Sequence, residues 1–242
     1  HGGGFFGGSN EQESLVELSN QYASRGWVVF SINYRLASQH GTVPTSWLNA
    51  IGLLPDGQNI DQVLAMYPAN RDAKAALRWV VSQADEYEIN ENHISVLGGS
   101  AGAFISIAMG ASNTDDYVDE LSVSEDPTLQ STNLSQEFQI QTVLDFWGGR
   151  ASVDILTLLD GAVRFDSNDA PLMIVHGTAD PIVEYSEATS LNSTYNANGN
   201  ICTLYTIEDG GHGIWGINVN GDPLWSLGFE FMVENQGLTV QL

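Results

Sequence analysis

A serine set among glycines is the first group in this chain with evident chemistry. Gly98-Gly99-Ser100-Ala101-Gly102 fits the pattern G-x-S-x-G. It stands between a short apolar run, Ile94-Ser95-Val96-Leu97, and a small-residue run, Ala103 to Met109. The first reads as a strand and the second as a buried helix. A serine on a sharp strand-to-helix turn presents its hydroxyl outward, and only tiny neighbours leave room for such a turn. The helix N-terminus behind it favours developing negative charge. A second glycine run, His1-Gly2-Gly3-Gly4-Phe5, lets backbone N–H groups converge on one point, which is what an oxyanion hole requires.

A serine nucleophile needs a base, and the base needs an orienting acid. His176-Gly177-Thr178-Ala179-Asp180 follows the apolar run Leu172 to Val175. It sets the Asp180 carboxylate just past a strand end, where open parallel sheets gather their active-site groups. Asp209-Gly210-Gly211-His212-Gly213 follows the run Ile201 to Ile207 and carries His212 on a glycine loop. Ser100, Asp180 and His212 therefore read as nucleophile, acid and base. Asp145, after the run Ile140 to Leu144, is a second candidate for the acid. His176 at its strand terminus, His40 in a loop and His93 at the start of a strand read as structural.

The elements that must position these groups alternate between strand and helix. Trp27 to Ile32 reads as a strand after a helix over Asn10 to Ser24. Residues 36–68, punctuated by Pro44, Gly52, Pro55, Gly57 and Pro68, read as a long functional loop with short helical pieces. A helix follows over Arg71 to Tyr87, then helices over Glu184 to Asn196 and Pro223 to Glu234. Residues 113–136 are polar and acidic, and read as a surface insertion or lid. This alternation implies an α/β fold with a mostly parallel sheet covered by helices on both faces, in a single domain over 1–242.

Charge narrows the partners. The 242 residues carry 30 Asp and Glu against 7 Lys and Arg, a formal net charge of -23. Such a surface repels phosphates and anionic lipid heads, which argues against nucleic-acid and membrane-surface partners. Its self-repulsion is relieved by screening, so the melting temperature is expected to rise with added salt. An acidic chain with one lysine, Lys74, slightly favours a secreted or extracellular setting. No run is long and apolar enough to span a bilayer. Cys202 is the only cysteine and reads as a small apolar residue in a buried strand, so no metal site is expected. The triplets at Asn133 and Asn192 match glycosylation sequons, which matter only in a eukaryotic secreted protein.

Taken together, HGGGF at 1–5, NYRL at 33–36, DAKAALRWV at 72–80, GGSAGA at 98–103, HGTAD at 176–180 and GGHG at 210–213 resemble the α/β-hydrolase carboxylesterases, the broad group that holds hormone-sensitive-lipase-like and type-B enzymes. The order Ser, acid, His is the one that fold uses. The resemblance implies an oxyanion hole from the amides of Gly3, Gly4 and Ala101, and no cofactor. It also implies strands ahead of HGGG, so the chain is expected to lack N-terminal strands of the natural protein. Gly99 departs from the pattern, since those families usually carry an acidic residue before the nucleophile. Phe5, Phe6, Trp47, Trp147 and Trp215 stand in or beside the expected site loops, and Phe5, Trp147 and Trp215 are the candidates for substrate contact. The expected reaction is hydrolysis of short-chain or aromatic esters, small or polymeric. A prolyl-oligopeptidase-type peptidase shares the fold and order, and an adhesion or scaffold protein on this fold is the alternative outside enzymes.

Overall fold

The computed structural model describes residues 1–54 and 57–240, so Pro55 lies outside the described residues. Four parallel strands form the central sheet in the order β1 (Ser95–Gly99), β2 (Thr142–Phe146), β3 (Leu172–Gly177), β4 (Cys202–Ile207). Val143 pairs in register with Leu172, and Ile174 with Leu204. The two central strands β2 and β3 are wholly buried, which is why they read as continuous apolar runs. Leu172, Val143 and Ile174 face one apolar layer, while Leu144, Phe146, Met173 and Val175 face another. The first layer is closed by α3 (Ile60–Ser82), α5 (Ala101–Ala111), α6 (Ala151–Asp160) and α7 (Tyr185–Asn198). The second is closed by α1 (Glu13–Ala23) and α8 (Leu224–Asn235). Helices thus cover both faces of a parallel sheet. A short helix, α2 (Thr45–Ile51), packs on α3 and α6, and α4 (Ala84–Tyr87) follows α3. A small hairpin of β5 (Asn218–Val219) and β6 (Asp222–Pro223) precedes α8.

Three elements differ from the sequence reading. Residues 27–32 form no strand. With the edge strand β1 they line a shared cavity of about 220 Å³. Their side chains pack instead: Phe30 meets Trp79 and Tyr87 edge-on. Second, α3 starts at Ile60, eleven residues before the expected helix, and carries Pro68 in its interior. Asn59 caps it by accepting a hydrogen bond from the Gln62 N–H. Third, β4 is an edge strand and only half buried, so Cys202 is partly exposed. Burial still pushes its thiol up to about 12.

The basic residues explain how 113–136 is held. Arg71, Lys74 and Arg78 recur at helical spacing on α3 and are all buried. Arg71 donates to the carbonyls of Tyr117 and Val118, each at 2.9 Å, and pairs with Asp126 at 3.2 Å. Lys74 Nζ donates to the carbonyls of Asn113 (2.5 Å) and Asp116 (2.9 Å), and Arg78 to that of Thr132 (2.7 Å). Arg164 grips the Asp116 carboxylate with two N–H groups. Arg35 holds Asp72, and Arg150 pairs with Asp154. Arg25 alone among the cations is exposed, lying over the Trp225 ring. Removing Arg71 takes the donor from two carbonyls and leaves Asp126 Oδ2 with only Arg35, at 3.8 Å. Arg71→Ala is therefore expected to cost about 3–5 kcal/mol, read as a lowered urea midpoint with unchanged slope.

Candidate active site

Ser100 occupies the turn between β1 and α5 with φ 56° and ψ -124°, a conformation that L-residues adopt only under constraint. The fold supplies the constraint. The Ser100 N–H donates to the Phe146 carbonyl at 2.9 Å, extending the ladder by one residue. A Cβ on Gly98 would lie 2.2 Å from the Gly102 backbone, so the turn closes only over glycine. Gly99 has a different reason. A Cβ there would lie 2.5 Å from the Trp215 ring. The indole takes the room that a side chain at this position would need, which accounts for glycine where the resemblance implied an acidic residue.

His212 and Asp180 meet Ser100 in one line. His212 Nε2 lies 2.9 Å from Ser100 Oγ, and its Nδ1 lies 2.7 Å from Asp180 Oδ2. Asp180 Oδ1 accepts the N–H groups of Ile182 (2.8 Å) and Val183 (3.0 Å). Burial works against the charged carboxylate. The hydrogen bond from His212 and the two backbone N–H groups outweigh it and hold Asp180 below the usual range. Asp180 therefore stays ionised beside the imidazole. His176 is fully buried, and burial lowers its pKa, so the ring is neutral at pH 7. Its Nε2 donates to the Val183 carbonyl at 2.9 Å and lies 3.4 Å from Asp180. It braces the loop that carries Asp180. His40 is exposed, and neither it nor His93 lines the cleft that holds Ser100.

Asp145 lies elsewhere. It is fully buried, with Oδ1 accepting the Gly148 N–H at 2.7 Å and Oδ2 unpartnered. Burial pushes it up to about 7. Its unfolded value is about 4. Stability from this group is thus fully present below about pH 4 and lost as the pH rises through about 7. Asp169, also raised to about 7 by burial, adds to the same trend. The melting temperature is expected to fall between pH 5 and pH 8, and Asp145→Asn to flatten that fall.

The glycine run lies across the cleft from His212. Gly3 and Gly4 have φ of 110° and 61°. Among the described residues, the amides of Gly3, Gly4 and Ala101 donate to no protein acceptor, and all three residues line the cleft with Ser100. The loop is fixed by side chains that sequence reasoning missed. Gln62 Nε2 donates to the Gly4 carbonyl (3.1 Å), Gln12 accepts the Gly2 N–H (3.2 Å), and the Tyr34 hydroxyl donates to the His1 carbonyl (2.7 Å). Only Tyr34 carried a signal, within the NYRL stretch.

The cleft encloses about 780 Å³, within the usual range for small-molecule sites. Trp147 and Trp215 both line it and meet edge-on at 4.8 Å. Phe5 also lines it, yet it is 1% exposed and mostly packs on Tyr34. Trp47 does not. It is fully buried against Tyr67 and Tyr117, with its indole N–H on the Val63 carbonyl. Phe6 is exposed and does not line the cleft. No described residue of 113–136 lines the cleft either. Among the described residues no cluster of three potential metal ligands occurs, and no helix is long and apolar enough to cross a membrane.

A parallel sheet with Ser100 at the turn after β1, Asp180 after β3 and His212 after β4 has the α/β-hydrolase fold. Comparison with known proteins agrees. The BD-FAE family model matches residues 62–162, from α3 through the nucleophile turn to α6. Among curated proteins, Esterase LipC of Mycobacterium tuberculosis is 22% identical over 211 residues, 78% of this chain. The chain spans about half the length of that relative, 45% of it. Among solved structures, Thermogutta terrifontis esterase 2 phosphorylated by paraoxon superposes with a TM-score of 0.68 at 24% identity, covering 99% of this chain and 82% of that one. The butyrate-bound form of the same enzyme gives 0.69 at 22% identity, covering 100% and 83%.

Proposed function

We propose that the chain is a serine hydrolase of carboxylic esters. The observation that carries this reading is the unbroken hydrogen-bonded line from Ser100 Oγ through His212 to Asp180, in a cleft also lined by Gly3, Gly4 and Ala101, whose amides donate to no acceptor among the described residues. His212 Nε2 takes the Ser100 proton as Oγ attacks the ester carbonyl. The amides of Gly3, Gly4 and Ala101 receive the oxyanion. His212 then returns the proton to the leaving alkoxide, and water resolves the acyl-enzyme by the same route. Asp180 orients the ring and stabilises its charged form. The reaction needs no cofactor.

That these similar proteins are named esterases supports the reading, as does paraoxon's phosphorylation of the Thermogutta enzyme. The butyrate-bound form of that same enzyme supports a short acyl group. Trp147 and Trp215 would flank the ester. The test is hydrolysis of p-nitrophenyl acetate, butyrate and octanoate, with paraoxon as inactivator. Rates that fall with chain length and vanish after paraoxon are expected. A folded protein inert to all three esters and to paraoxon would refute the proposal.

A further inference from the structure

Glu187 lines the cleft that holds Ser100, but the proposed triad does not use it. It sits in the first turn of α7, where a carboxylate suits the helix N-terminus. Its Oε2 accepts the Arg150 N–H at 3.1 Å, which ties α7 to the start of α6. Its Oε1 has no hydrogen-bond partner among the described residues. Phe104, which also lines the cleft, lies beside it. A Cβ built on Gly149 would be 2.7 Å from Glu187 Oε2 and 2.9 Å from Phe104 Cζ, so a bare glycine backbone lets ring and carboxylate stand together. The described cleft lining contains no lysine or arginine, and its acidic members are Glu184 and Glu187. Arg150 turns its guanidinium away, to Asp154, Ser190 and Thr194.

From this arrangement we infer that Glu187 is a specificity-determining residue, selecting esters that carry a hydrogen-bond donor beside an apolar ring face and rejecting esters that carry an anion. The inference rests on Ser100 being the nucleophile of an ester hydrolase. A carboxylate oxygen without a protein partner gains a charge-assisted bond from a hydroxyl or ammonium on the substrate. A substrate carboxylate there meets a like charge, with no lysine or arginine in the described cleft lining to offset it. Phe104 supplies the apolar face against which a flat or ring-shaped group lies.

The experiment uses two series of esters. Para-substituted 3-phenylpropanoates of p-nitrophenol, bearing hydrogen, hydroxyl, aminomethyl or carboxylate, vary the acyl side. Phenyl acetates with the same substituents vary the alcohol side. kcat/KM is measured for the wild type, Glu187→Gln and Glu187→Leu, and each substituent is read as a ratio to hydrogen. Comparing ratios between proteins cancels intrinsic reactivity. In one series, Glu187→Leu is expected to lose about tenfold or more of the donor preference, whether hydroxyl or aminomethyl shows it. Both variants are expected to relieve the rejection of the carboxylate by about tenfold. Glu187→Gln keeps an acceptor for the Arg150 N–H, so the carboxylate arm decides the matter if the leucine variant does not fold. Ratios that stay within about twofold in all three proteins, in both series, overturn the inference. A wild type inactive on p-nitrophenyl acetate, which has no donor, fails the nucleophile reading itself, and the inference falls with it.

Discussion

Ser100→Ala is expected to lower ester turnover by about a millionfold, to a residue about a thousandfold or more above water. The size follows from how the site is built. The line from Asp180 through His212 ends on one hydroxyl, and with the hydroxyl gone the base has no proton to take. What is expected to survive is the proposed oxyanion pocket, because Gly3, Gly4 and Ala101, which line the cleft, would act through their backbones. Alanine also retains the constrained turn, since the ladder bond to the Phe146 carbonyl comes from the backbone N–H. The loss is thus expected in kcat, with the melting temperature almost unmoved. Turnover within tenfold of wild type would remove Ser100 from the reaction.

The second large effect separates two buried carboxylates. Asp180→Asn is expected to lower kcat by about ten-thousandfold, because an amide in that place favours the wrong imidazole tautomer. Asp145→Asn is expected to leave turnover near normal. Asp145 belongs to β2 and bonds the Gly148 N–H, whereas Asp180 bonds His212 directly. The two variants differ in stability as well. The Asp145 change should raise the melting temperature at pH 8 more than at pH 5, since it removes a buried charge that forms only as the pH rises. The reverse pattern of turnover would give the acid's role to Asp145.

The site was legible in the sequence because its parts are written in local turns. A serine between Gly98 and Gly102 allows few backbones, and HGGG allows few uses. The rest depended on neighbours distant in sequence. Residues 27–32 have the composition of a strand, yet a ladder needs a second backbone within reach, and they line a cavity beside β1 instead. Pro68 argues against a helix by its own propensity, but α3 packs tightly enough to override it, with Pro68 buried. Nothing local in the helix reveals that the acceptors of Arg71, Lys74 and Arg78 are carbonyls 39 to 54 residues downstream. Trp47 was misplaced for the same reason, since an aromatic in a glycine- and proline-punctuated stretch looks like a rim residue until its burial is known.

The internal commitment of the cations has a consequence for the chain's life among proteases. Trypsin-like enzymes cut after lysine and arginine and need an extended, accessible segment to do so. Of the seven such residues, only Arg25 is exposed, at the turn that follows α1. Arg71, Lys74, Arg78 and Arg164 are buried, and Arg35 and Arg150 are held in ion pairs. To such a protease the folded chain offers one cleavage point near its start. Every later cut must wait for local or global opening, so the rate at which those fragments accumulate counts the openings of the native fold.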